Sequence, residues 1–172
     1  PSDQQAIGLL ATSYMLLAGV NMLNLMVSIL NSSSGAKNNF QAIVSAMPSG
    51  STSNISLLTK SITTLNLISA KNANQNYQLA IASASLAILT IKANCLDSSG
   101  SISTSQTNAM STTDANSVYT YLSNAQTAFS SAGIAAGSNS GSAMLANIIN
   151  QINSTSGGSN SAKVINYIIA QK

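Results

Sequence analysis

Residues 54–96 read NISLLTKSITTLNLISAKNANQNYQLAIASASLAILTIKANCL and contain neither Gly nor Pro. Ile55, Leu58, Ile62 and Leu65 recur at alternating spacings of three and four, the period of a helix packed along one face. After a slip in phase the pattern resumes at Ala70, Ala73, Tyr77, Ile81, Ala84, Ile88, Ile91 and Cys95. The segment predicts either one long helix or two helices meeting at residues 71–76. A single helix over this span would be on the order of 60 Å long at about 1.5 Å per residue, twice the ~30 Å diameter of a compact domain of this size. That outcome would make the molecule elongated.

On the N-terminal side, Ser2 followed by Gln5 is a capping-box pattern, and the run from Gln4 to Ala36 carries no charge. A helix over Ala6–Leu30 is expected. Its apolar residues go nearly all round, so it belongs inside a bundle, inside an assembly or in a membrane. About twenty apolar residues span a bilayer, but Thr12, Ser13, Asn21, Asn24 and Ser28 interrupt this run, and each Asn is costly in lipid unless paired. Buried packing is preferred and membrane insertion is the alternative. Leu10, Met15, Leu17, Leu23, Met26 and Leu30 form the expected assembly or insertion face, so Leu17→Asp or Leu23→Asp should block association while leaving helical content intact. The cluster 31–35 reads as a loop, residues Phe40, Ile43, Val44 and Met47 as a short helix, and Pro48-Ser49-Gly50-Ser51 as its end.

Beyond residue 96, Asp97-Ser98-Ser99-Gly100-Ser101 ends the central segment, and a Ser/Thr-rich connection runs to about Thr113. Val118, Leu122, Ala125, Phe129 and Ala132 repeat the four-three spacing up to Gly133, and Asp114 at the start suits the helix dipole. A joint at 137–141, a short helix through Leu145, Ile148, Ile149 and Ile152, a second joint at 156–159 and a last helix through Val164, Ile165, Tyr167, Ile168 and Ile169 complete the chain. The last segment is also β-prone, yet it has no hairpin partner, so helix is preferred. The expected fold is a single all-α domain: an elongated bundle of five or six helices around a long central helix or helical hairpin.

Composition narrows the function. The 172 residues include six Lys, three Asp, no Arg, no Glu and no His, and the polarity comes from Ser, Thr and Asn. His, Glu and Arg supply most general bases, anion clamps and metal ligands. No catalytic, cofactor-binding or metal site is therefore expected. Lys37, Lys60, Lys71, Lys92, Lys163 and Lys172 never cluster, so the net charge of +3 predicts no nucleic-acid patch. The single cysteine, Cys95, lies on the apolar stripe and is expected to be a buried free thiol. Tripeptides at Asn31, Asn54 and Asn153 match the glycosylation pattern, as chance alone would provide in a chain so rich in Asn and Ser. A chain beginning at Pro1 is expected to be a processed product or an excised segment.

Only nine charges on 172 residues leave little repulsion between copies. A mean hydropathy of +0.24 leaves apolar surface for partners or lipid to cover. The expected role is a non-enzymatic, self-associating subunit of an exported or surface assembly, such as a filament, pilus-like fibre or secretion-apparatus component. Its location would be extracellular, periplasmic or at the cell surface. The first alternative is a membrane-inserting translocator or pore component, with Asp3 and Lys37 at opposite faces. The second is a small carrier holding an apolar ligand among Met15, Met22, Met26 and Met47.

Overall fold

A computed structural model describes residues 2–20, 40, 43–135 and 140–172. Among these the chain is all-α, with seven helices and a further helical turn at 43–46. They are α1 (Ser2–Leu17), α2 (Thr52–Asn66), α3 (Ala73–Cys95), α4 (Thr104–Ala109), α5 (Thr112–Ser131), α6 (Ser140–Ser154) and α7 (Asn160–Ala170). The expected count of five or six is therefore too low. The connection after Asp97 contains α4, which Ser103 caps by accepting a hydrogen bond from the Gln106 amide.

Local chemistry sets the helix ends. The central segment is two helices, because Asn72 builds a capping box that starts α3. The Gln75 amide donates to Asn72 Oδ1 at 3.0 Å, and the Asn72 amide donates to Gln75 Oε1 at 2.9 Å. The break falls at residues 67–72, ahead of the 71–76 joint expected from composition. The two helices fold against each other, and the accessible surface of 8167 Å² is close to the ~7,900 Å² of a compact monomer of this mass. No single long helix and no rod results. Ser51, Ser111 and Ser159 cap α2, α5 and α7, each side chain accepting a hydrogen bond from the amide three residues on. With Ser103, four serines thus start helices.

The expected helix over Ala6–Leu30 stops at Leu17. Gly19 adopts φ +81°, while its amide donates to Leu16 O at 2.9 Å and the Val20 amide to Met15 O at 3.0 Å. These two bonds form a Schellman motif, which satisfies the last carbonyls and turns the chain away. Gly133 ends α5 with the same pair of bonds.

The helix buried on all sides is α3. Ala80, Ile81, Ala82, Leu86, Ala87, Ile88, Leu89 and Ile91 cover its whole circumference, with α2 on one flank and α5 along its length. Helices α6 and α7 close over α5. By length and composition α3 is also apolar enough to cross a membrane, at 23 residues and mean hydropathy 1.3, but most of it is enclosed by its neighbours. The chain reaches α2 by crossing over α3 at 43–50. There Lys92 Nζ donates to the carbonyls of Val44 and Met47, both at 2.7 Å, and its burial lowers the ammonium pKa from the ordinary 10.5.

Cys95 is fully buried beside Met110, with Sγ 3.8 Å from the thioether sulfur. Burial raises the thiol pKa above its ordinary 9.0, against a smaller opposing hydrogen bond with Thr107. The folded chain holds this proton more tightly than the unfolded chain. The resulting stability is fully present below about pH 9 and is lost as pH rises through the folded value. At neutral pH Cys95 is expected to react with a thiol reagent only on the timescale of unfolding, with a denaturant midpoint matching that of the helical signal. Complete labelling of the folded protein within minutes would contradict this.

Candidate functional site: the outward leucine face of the first helix

Helix α1 is built inside out. Its inner face carries small residues and one long flexible one, Gly8, Ala11, Met15 and Ala18, all buried. Small side chains let α1 lie close to α2, where Ser61 Oγ, itself buried, donates to Ala11 O at 2.8 Å. Leu65 and Ile68 pack on Ala11 in a small satellite core. At the other end of the helix, Gln75 Nε2 donates to Gln4 O at 3.1 Å and ties α1 to the start of α3.

The large side chains of α1 point the other way. Leu9, Leu10, Leu16 and Leu17 are 70%, 48%, 59% and 69% exposed. Leu9 and Leu16 are seven residues apart, as are Leu10 and Leu17, so they form two adjacent ridges along the helix, with Ser13 between them. The fifth exposed large apolar side chain among the described residues, Leu67 at 70%, sits where α2 ends. It lines a groove of about 410 Å³ with Tyr14, Lys60 and Thr63, and Tyr14 lies on the helix flank next to Leu10 and Leu17. Asp3 is the only charged residue within α1.

The residues expected to form one assembly face are therefore divided. Leu10 and Leu17 are on the outward face, whereas Met15 lies in the main core. Leu23, Met26 and Leu30 lie outside the described residues, as do Asn31 and Lys37. Leu9 and Leu16 belong to the exposed face and were not singled out by the sequence reading. Their seven-residue offset, parallel to that of Leu10 and Leu17, was the available signal.

The methionines expected to surround an apolar ligand are Met15, Met22, Met26 and Met47. Met15 and Met47 are core residues, and Met22 and Met26 lie outside the described residues. Among the described residues no three His, Cys, Asp or Glu side chains gather as a metal site would require. Asp97 is committed locally: its Oδ1 accepts from Ser99 Oγ at 2.6 Å and from the amides of Ser99 and Ser101, which lowers its pKa. Asp114 Oδ2 accepts from Ser111 Oγ at 2.8 Å in the first turn of α5.

These features define a compact all-α bundle without a catalytic signature among its described residues, with one helix showing leucine to solvent. Compared with known proteins, the chain matches no family model, no curated protein and no solved structure.

Proposed function

We propose that this protein is a non-enzymatic structural subunit whose copies associate through the outward leucine face of α1, within an exported or surface assembly such as a filament, fibre or secretion-apparatus component. The observation that carries this reading is the inversion of α1, with alanine and glycine inside and four leucines outside. A helix that had only to complete its own bundle would bury the leucines, since each is worth about 1.5–3 kcal/mol when fully removed from water. A contiguous apolar face on an otherwise hydroxyl- and amide-rich surface is what an association surface requires. Self-association is further supported by the low charge, six Lys and three Asp in 172 residues. A location outside the cytoplasm is part of the same proposal.

A membrane-inserting role is the second reading, supported by the length and apolarity of α3. It would require α3 to leave the bundle, exposing the partners it now buries. The deciding measurement is solution mass by light scattering over a range of concentrations without detergent, with the same fractions viewed by electron microscopy. Mass rising with concentration into regular particles is expected. A strict monomer at high concentration overturns self-association, and insertion into lipid vesicles by that monomer would establish the second reading.

A further inference from the structure

We propose that two copies of this chain pair through α1, the helices antiparallel about a two-fold axis at Ser13, and that this pair is the unit from which a larger assembly is built. The inference rests on the self-association proposed above. Residues 9–17 read LLATSYMLL, so the four exposed leucines are placed symmetrically about Ser13: Leu10 and Leu16 on either side of it, then Leu9 and Leu17. A two-fold contact uses the same patch on both copies, so each group must meet its counterpart across the axis. A second α1 running the opposite way, centred on Ser13, sets Leu17 of the partner subunit beside Leu10 and Leu16 of the partner subunit beside Leu9. Leucine meets leucine at every position. A partner of unlike sequence gains nothing from this symmetry.

Ser13 suits the crossing point. It is exposed and small, and a small side chain at the contact lets helix axes approach to the near end of the usual 8–10 Å range. Its Oγ donates to Leu9 O at 3.0 Å, so the hydroxyl enters an apolar contact already bonded. The only charged residue of α1, Asp3, stands about 15 Å along the helix from Ser13. A parallel pair would set the two Asp3 carboxylates and the like ends of two helix dipoles side by side. Antiparallel pairing separates the carboxylates and opposes the dipoles.

The area available sets the strength of the pair. At about 60–120 Å² each, the four leucines and Leu67 offer on the order of 300–600 Å² per copy, against the ~800 Å² that each partner gives to a standard interface. Tyr14, on the flank beside Leu10 and Leu17, and the groove it lines with Thr59, Thr63 and Leu67 extend the patch. The two-fold axis keeps this flank of both copies on one side of the pair, so the extension serves both. An interface near the lower end of the standard size is a concentration-dependent one. Because the contact closes on itself, growth beyond the pair uses another surface.

The test is cysteine cross-linking of the full chain under mild oxidation, with light scattering on the same samples. The unmodified protein, whose Cys95 is buried, is the blank. Ser13→Cys, which removes no leucine, is expected to form a covalent dimer at least about tenfold faster than Ser130→Cys on the exposed face of α5, because a paired thiol sees its counterpart at high local concentration. Leu10→Cys and Leu17→Cys should cross-link to each other when mixed and poorly when alone, since like positions lie about 9 Å apart along an antiparallel pair. Rapid cross-linking of Leu10→Cys with itself would mean a parallel pair and overturn the proposal. Mass that rises with concentration without faster cross-linking at position 13 would overturn it too, while leaving self-association through another contact. A strict monomer at high concentration would overturn both.

Discussion

Gly50→Ala is expected to destabilise the fold by about 3 kcal/mol, lowering the melting temperature by about 6–12 °C for a chain of this size. A Cβ at this position would stand 2.5 Å from the backbone nitrogen of Ala93, 2.6 Å from Leu89 O and 2.9 Å from Ala93 Cα. All three are backbone atoms of α3, which has neighbours on every side and cannot retreat as a side chain would. The crossing segment would have to lift instead, pulling Val44 and Met47 away from Lys92, whose ammonium holds both carbonyls at 2.7 Å. Gly158→Ala is the matched control, since a Cβ there meets nothing within 4 Å. Thermal unfolding followed by circular dichroism should show the loss for Gly50→Ala and a change within about 0.5 kcal/mol for Gly158→Ala. A wild-type melting temperature for Gly50→Ala would mean that the crossing is not the close contact described.

The double substitution Leu16→Asp with Leu17→Asp should weaken self-association by about 100-fold or more while leaving helical content intact. Burial of the two exposed leucines contributes on the order of 2–4 kcal/mol to an interface, and two carboxylates would remain there without partners. At about 1.4 kcal/mol per factor of ten, the transfer contribution alone reaches about two orders of magnitude. The bundle itself should tolerate the change, because these side chains are already 59% and 69% exposed. Light scattering and circular dichroism on the same samples separate the outcomes. Loss of mass with retained helix supports the interface, unchanged mass removes this face from it, and loss of both together makes α1 an internal element whose leucines are needed for folding. Met15→Asp is the contrasting change, since it places a charge in the core and should unfold the protein whatever its assembly.

Helices with one apolar stripe were legible residue by residue. Val118, Leu122, Ala125 and Phe129 recur at the helical period and are all buried on α5, and the helix ends at Gly133 as the sequence suggests. The last segment, β-prone by composition, is helical and buries Val164, Tyr167 and Ile168. The joint offered at 71–76 contains Asn72 and Gln75, the same pattern noted at Ser2 and Gln5, and their capping box decides for two helices. Gly19, the same residue type at the same kind of end as Gly133, lies within a long apolar segment, where the continuing periodicity outweighs a single capping residue.

Pattern and capping chemistry are local, so the amino-acid sequence by itself determined the all-α class, the faces of the regular helices, the buried thiol and the shortage of groups for acid–base or metal chemistry. Which helix occupies the centre is a competition that only the tertiary structure decided. Residues 6–30 and 73–95 are both apolar on nearly all sides in the sequence, and α3 took the interior because α2 and α5 cover its opposite flanks, while Gly8 and Ala11 gave α1 a thin face for close packing. The leucines of α1 face outward as a consequence. Periodicity reports which residues share a face of one helix, and it carries no information on what that face will meet.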